Sequence, residues 1–279
     1  MKRVFLLLTC IFSFSTIFSQ TTPDSLKLWE KGGTGTLNFS QITLSNWAQG
    51  GDNALSATIL FNVFSNYKKG KHSFENTLDM TYGFLRSGSN PVRKSDDRIE
   101  ANSKYGFKTS KNWSYATQLN FRSQFAPGYN YPNDSVIISN FLAPGYITIS
   151  TGMDYKPKDD YSFFMSPITG KITIVNNQQL ADAGAFGVSE ALFDTAGVQT
   201  VSGKKIRYEF GALLSAKIKQ PISKNIILTT KLDLFSNYFN NPGNIDVNWD
   251  VLVNMKVNKF VSASISTTLI YDHDIDVPI

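Results

Sequence analysis

Leu55-Ser56-Ala57-Thr58-Ile59-Leu60-Phe61-Asn62-Val63-Phe64-Ser65-Asn66-Tyr67 is the stretch on which the fold turns. Every second residue, from Leu55 through Ala57, Ile59, Phe61 and Val63 to Tyr67, forms one side, and Ser56, Thr58, Asn62 and Asn66 mark the other. A period of two is that of an extended strand with one apolar face. The same alternation recurs in Phe74–Phe84, Arg98–Phe107, Trp113–Phe125, Ile206–Ile218, Ile226–Leu234, Ile245–Val257 and Val261–Tyr271. Weaker strands fit Thr36–Leu44, Tyr146–Tyr155 and Tyr161–Val175, the last interrupted by Pro167 and Gly170. That makes eleven strands and no sustained helical period.

A soluble sandwich also alternates, so three further features decide the setting. The strands run about ten to thirteen residues, against five or six in ordinary sheets, and a bilayer-crossing strand needs about nine to eleven. Connections alternate in length: 68–72, 108–112, 156–160, 220–225 and the turn at Asn258 are short. Those at 46–54, 86–97, 126–138, 176–203 and 239–244 are mostly longer. Short periplasmic turns and longer outside loops are the habit of outer-membrane barrels. Aromatic residues stand where strands meet turns, with Tyr67, Phe74, Phe107, Trp113, Tyr155 and Tyr161 at one end. Trp47, Phe84, Phe125, Tyr238 and Tyr271 stand at the other, as two membrane-interface girdles would. The fold class expected is all-β, an antiparallel up-and-down transmembrane β-barrel.

Composition agrees. Aromatics make up 13% and charged residues 18% of the chain, which suits a β-rich protein and not a disordered one. Residues 1–19 read as a signal peptide, with Lys2 and Arg3 ahead of an apolar run and Ser19 before Gln20. Cys10 is the chain's one cysteine and leaves with that segment, so the exported protein relies on burial and backbone pairing. A lipobox at Leu7–Cys10 is the weaker alternative, because Thr9 is unusual there and the apolar run continues past it. Removing the segment lowers the formal charge from +5 to +3, too little and too scattered for a nucleic-acid partner. Residues 20–35 are expected as a periplasmic segment and 36–279 as the barrel, exported to the cell outer membrane.

Single-chain barrels of this kind usually have an even strand number. Eleven strands starting upward from residue 36 end on the outer side, so a twelfth after Ile279 is expected.

The run Leu37-Asn38-Phe39-Ser40-Gln41 to Asn46-Trp47-Ala48-Gln49-Gly50-Gly51 resembles a family of outer-membrane proteins known only as a domain of unknown function. Lys94–Glu100, Ser139–Pro144 and Tyr271–Ile275 add to the likeness, which extends over nearly the whole exported chain. The resemblance implies an outer-membrane protein and a further strand ending in an aromatic, but no activity, ligand or catalytic residue.

Chemistry is thinly represented. His72 and His273 are the only histidines, and His72 lies in a short turn. Asp272-His273-Asp274-Ile275-Asp276 and Asp96-Asp97 share the outer rim in this topology. A carboxylate-oriented histidine or a hard oxygen site for Ca²⁺ could be built there, yet a solvated acidic loop is the plainer reading. No enzyme, cofactor or metal is expected.

The polar face is richer. Glu75, Asp79, Arg98, Glu100, Lys104, Arg122, Arg207, Glu209, Lys231, Asp233, Asp246 and Asp250 are the candidate lumen-lining residues. Eight strands fill a barrel with side chains and sixteen leave a channel, so about twelve strands suit a narrow path for small polar solutes. The alternative is a non-conducting scaffold in an outer-membrane complex, with Asn46, Trp47, Gly50 and Gly51 as the outer-loop contact. An enzyme on the acidic rim comes well behind. Partners expected are outer-membrane lipid, the barrel-assembly machinery and an envelope protein.

Overall fold

The protein is seen in a computed structural model that describes residues 28–45, 50–158, 160–258 and 261–272. Eleven strands form one antiparallel sheet in chain order: β1 (Trp29–Ile42), β2 (Ala54–Lys69), β3 (His72–Ser87), β4 (Arg93–Lys108), β5 (Trp113–Ser123), β8 (Gly145–Tyr155), β9 (Tyr161–Ile174), β12 (Ile206–Ser223), β13 (Ile226–Asn237), β14 (Ile245–Lys256) and β15 (Ser262–Tyr271). Two small hairpins leave this meander. One is β6 (Gly128–Tyr129) with β7 (Ile137–Ser139), and the other is β10 (Leu192–Phe193) with β11 (Gln199–Val201). All eleven strands expected from the alternation are present, though with shifted ends. The sheet is not closed, and β1 and β15 are its edges. Among the described residues no helix is long and apolar enough to cross a membrane, which says nothing of crossing by strands.

The sheet is curled, and its contacts show the direction. Lys171 of β9 reaches Asp246 of β14 at 2.8 Å, three strands along, and Asp272 beyond β15 at 3.6 Å. Lys156, just after β8, reaches Glu75 of β3 at 2.8 Å, again three strands along. Neighbouring strands lie about 4.8 Å apart, so a flat sheet would hold such partners beyond side-chain reach. The polar face is therefore concave.

Burial is inverted relative to a water-soluble sheet. Glu209 on the concave face is 6% exposed, while its neighbour Tyr208 on the convex face is 73% exposed. Thr169 is fully buried, yet Ile149 is 51% exposed. The convex face is a band of aliphatic and aromatic side chains, with Trp113 against Tyr155 at 4.7 Å and Trp29 against Tyr67 at 5.0 Å near the short turns. Even the Trp249 indole N–H is satisfied on that face, donating to the Thr230 hydroxyl at 2.9 Å.

Three expectations need correction. The first strand begins at Trp29, not Thr36, and takes in residues assigned to a periplasmic segment. Gly32, Gly33 and Gly35 hide it, since glycine is a poor strand former. Here Gly32 makes room for a neighbour, because a Cβ on it would lie 2.6 Å from the Phe64 ring. The loop drawn over 86–97 shrinks to residues 88–92, because β3 and β4 run on through their charged ends. Asp97 makes that possible by accepting the N–H groups of Phe125 and Ala126, each at 2.8 Å. The long connection after β9, read as a loop over 176–203, holds a short helix α1 (Gln178–Asp182), a 3₁₀ turn at Ala185–Gly187 and the β10–β11 hairpin. Asn177 caps α1, its side chain accepting from the Leu180 N–H at 3.1 Å.

Of the register shifts in the sheet, the one at Pro167 falls among the inward-facing residues of its middle strands. Thr151 and Met153 of β8 oppose Ile168 and Met165 of β9, so β9 carries an extra residue around Pro167. β12 records the same step between Gly211 and Leu213. A bulge is where a strand tolerates a residue without an N–H, and it re-aims every side chain beyond it. Gly152 sits against it, where a Cβ would meet the Met165 carbonyl oxygen at 1.9 Å. Gly152→Ala should therefore destabilise the fold by about 1–3 kcal/mol. Gly170→Ala, with open space around it, should leave the urea midpoint unchanged or higher. Equilibrium unfolding of the two variants in lipid or detergent checks the contrast.

Candidate functional site

Backbone register lines up the concave face in rows. One runs Thr34, Asn62, Asp79, Glu100, Arg122, Tyr146, Thr173, Arg207 across eight strands. The next runs Phe64, Thr77, Asn102, Asn120, Thr148, Lys171, Glu209. On the far wall Lys217, Lys231, Asp250 and Thr268 form a third. Register puts all twelve residues named as lumen candidates on this face, and they gather in three groups.

At the long-loop end Lys171 is the hub. Its ammonium lies 2.8 Å from Asp246, 3.5 Å from Glu209 and 3.6 Å from Asp272. It also lies 5.1 Å from the centre of the buried Phe235 ring. Arg207 adds a second cation on Glu209 at 2.9 Å. Beside this group Arg122 stacks over Tyr146 at 5.2 Å.

Midway, Arg98 pairs with Glu100, which also accepts from Asn102 at 3.3 Å and Asn120 at 3.1 Å. Asn62 donates to Asp79 at 2.5 Å. Facing them, Asp233 binds Lys231 at 2.9 Å and the Ser215 hydroxyl, and Thr268 donates to Asp250 at 2.7 Å. The charges of the two walls interact, Glu100 with Lys231 and Arg98 with Asp250.

At the short-turn end Asp154 is bound by Lys104 at 2.7 Å, Lys156 at 3.6 Å and the Ser162 hydroxyl at 2.9 Å. Lys156 carries the link on to Glu75. Lys104 lies 4.8 Å from the centre of the Phe164 ring, itself almost wholly buried. Each hub lysine thus rests on an inward-facing aromatic, which fills space while its π-face favours the cation.

Lys171, Asp154 and Lys156 are site residues that the sequence reading did not single out. The bulge explains the first of them. Ser162, Phe164 and Ser166 point inward before it and Thr169, Lys171 and Thr173 after it, so the parity flips and the alternation looks weak. Lys171 lies beyond the step, whereas Asp154 keeps the regular phase of β8.

The longer loops form a structured cap. Ala143, Val175, Ala181 and Val188 are a small buried cluster, with Leu180 and Phe186 packed on it. Gln124 donates to the carbonyls of Asn140 and Ala143, and Asn176 N–H to Leu142 O, tying neighbouring loops together. In the rim considered for chemistry, Asp97 is buried and spent on backbone N–H groups and Lys94. Asp272 is turned to Lys171, and His273–Asp276 lie outside the described residues. His72 Nδ1 is hydrogen-bonded to the Tyr105 hydroxyl at 2.7 Å, far from those carboxylates at the other end of the strands. Of the proposed outer-loop contact, Asn46 and Trp47 also lie outside the described residues, as do the signal segment and Cys10. Gly50 and Gly51 have φ of 78° and 107°, a left-handed turn that suits glycine.

Residues 39–129 match the family model described as protein of unknown function (DUF3078). The match takes in β2 to β5 with Glu75, Asp79, Arg98, Glu100, Lys104 and Arg122, and its description names no activity, ligand or location. It is shorter than the likeness read from the sequence, which extended to Tyr271–Ile275. No curated protein matches the chain.

Two predictions follow from this geometry. Lys171→Met leaves three carboxylates facing one another, and losing one partner of a buried ion group costs about 3 kcal/mol or more. Lys171→Met with Asp246→Asn should lose less than the sum of the two single changes, read from urea midpoints. The cap has a pH dependence of its own. Hydrogen bonds from the Gln178 side-chain amide and the Gly203 N–H, each 2.7 Å, hold the Asp182 carboxyl below its usual range. Such a group stabilises the fold above its unfolded pKa of about 4, and the contribution fades as pH falls through the lower folded value. Amide-exchange protection at Gly203 should drop on acidification in the wild type, and should be low and flat with pH in Asp182→Ala.

Proposed function

We propose that this chain is a small outer-membrane β-barrel that gives small polar solutes a narrow path along its concave face. The observation that carries the reading is the inverted burial: charged side chains inside a curled antiparallel sheet, aliphatic and aromatic ones outside. Soluble monomers rarely expose apolar patches beyond a few hundred Å², whereas lipid is a solvent in which such a band is stable. Strands of 10 to 18 residues are long enough to cross. In hydrocarbon the unpaired N–H and C=O groups of β1 and β15 would be costly, which favours closure of the curl into a barrel. Export by residues 1–19, folding by the barrel-assembly machinery and the absence of enzymatic chemistry belong to the same proposal.

The second reading, a non-conducting scaffold, is favoured by the Lys171 hub and the loop cap, both of which narrow the long-loop end. Planar-bilayer recordings of the full-length protein separate the two. Discrete conductance that grows in Lys171→Met supports the channel, and none in either form leaves the scaffold. The barrel itself is tested by arginine scanning of β13. Leu232→Arg on the convex face should cost about 2–4 kcal/mol in lipid and Thr229→Arg on the concave face much less. Equal costs on both faces would sink the membrane reading.

A further inference from the structure

The convex face holds a cleft that solute passage does not use. It lies at the short-turn end of β2 to β4 and has a volume of ≈ 590 Å³. Tyr67, Tyr105 and Phe107 make its floor, and Lys69, Lys71 and His72 its rim. The strands put these groups together by register: Tyr67 with Phe74 and Phe74 with Tyr105 in one row, Lys69 with His72 and His72 with Phe107 in the next. Lys71 occupies the turn itself, opposite Gly70, whose φ of 59° makes the tight reversal. The His72 ring is fixed by its hydrogen bond to Tyr105 and stands edge-on to Phe107 at 5.2 Å. Lys71 Nζ lies 5.9 Å from the centre of the Phe107 ring.

One row further into the band is a polar strip on this otherwise apolar face. Lys31, Ser65, Asn76 and Ser103 are aligned there by register. Ser103 donates to the Asn76 side-chain oxygen at 2.7 Å, and the Asn76 amide donates to the Ser65 carbonyl at 3.0 Å. Beyond it come Val63 with Leu78, then Phe61 with Met80, all apolar. Along the strands the face therefore changes from cationic through polar to apolar, in the order that a phosphate, a glycerol ester and acyl chains follow in a lipid. These rows contain Lys31, Lys69 and Lys71 but no Asp or Glu, and among the described residues none of the three lysines is in an ion pair.

We infer that this cleft binds the phosphate headgroup of an anionic phospholipid, its acyl chains lying over Phe61, Val63, Leu78 and Met80. The inference rests on the barrel reading, and it adds a defined lipid site to a general lipid-facing band. Ammonium groups near a membrane surface attract anionic headgroups, and long lysine stems let the charge reach the phosphate while their methylenes cover aromatic rings. The aromatic floor and the apolar rows give nothing to a free phosphate ion. The absence of a carboxylate leaves the cation of a zwitterionic headgroup without a partner.

The test uses the full-length protein refolded into vesicles of mixed phosphatidylglycerol and phosphatidylcholine, then extracted gently and weighed with its retained lipid by native mass spectrometry. Phosphatidylglycerol should be retained in preference. Lys69→Gln with Lys71→Gln should lower that retention about thirtyfold, the scale expected for two ammonium groups at a membrane surface. Lys111→Gln with Lys224→Gln, at turns outside the cleft, should leave it unchanged, and Lys69→Arg with Lys71→Arg should keep it. If the double glutamine variant fails to refold, Lys71→Gln alone is the deciding variant. Equal retention of both lipids, equal loss in the two glutamine pairs, or displacement of the lipid by inorganic phosphate would overturn the site while leaving the barrel intact. Wild-type protein that does not enter vesicles at all would overturn both.

Discussion

Backbone hydrogen bonding between neighbouring strands holds this protein together, and the reason lies in where its side chains point. An ordinary domain gathers apolar side chains inward and lets their release from water drive folding. Here the inward side chains are largely charged or hydroxylated, and the large apolar ones face out. Among the described residues, the apolar cluster of buried side chains around Ala143 and Val175 belongs to the loops and not to the sheet. What remains is an unbroken ladder from β1 to β15, each strand satisfying the polar backbone of the next. In a medium without water that ladder cannot be exchanged for hydration, and an antiparallel sheet becomes a self-sufficient solution.

The ladder in turn dictates how the interior must be furnished. Once strands alternate, every second side chain is committed to the concave side and has to find partners there. Hydrogen bonds such as Asn62 to Asp79 and Thr169 to Ser150 satisfy nearest neighbours. The longer cations do something that nearest-neighbour pairs cannot. Lys171 and Lys156 join strands three positions apart, so they brace the curl itself. Charges buried this way add little net stability when intact but make specific geometry expensive to leave. Lys171 braces the side from β9 to β14, and Lys156 the side from β3 to β8.

Much of this was legible in the residues. Strong two-residue alternation at Leu55–Tyr67 or Ile245–Val257 identifies both the strand and its polar side, so all twelve candidates share one face. Legibility fails where geometry departs from a regular pleat. The extra residue at Pro167 flips the phase inside one strand, and Lys171, the most connected cation of the interior, vanishes from a simple count. Glycines at 32, 33 and 35 carry no side-chain pattern, so the first seven residues of β1 show themselves only through the partners that fill their space. The charged ends of β3 and β4 look like loop because nothing in the sequence announces that Asp97 will serve the backbone of residues 125 and 126. The cap escapes for another reason: its core is four small side chains drawn from two distant loops, too sparse for any periodic signal.

The sheet order has a bearing on how the chain reaches this state. No strand waits for a partner made much later, since each of the eleven pairs with the one completed just before it. Two-residue reversals such as Gly70–Lys71 and Lys224–Asn225 bring partners together with almost no loop to close. Local pairings of this kind lower the entropic barrier to folding, and the largest delay falls at the excursion between β9 and β12. The sheet can thus grow strand by strand along the chain, like a fence built panel by panel, with β1 as one exposed edge throughout and the newest strand as the other.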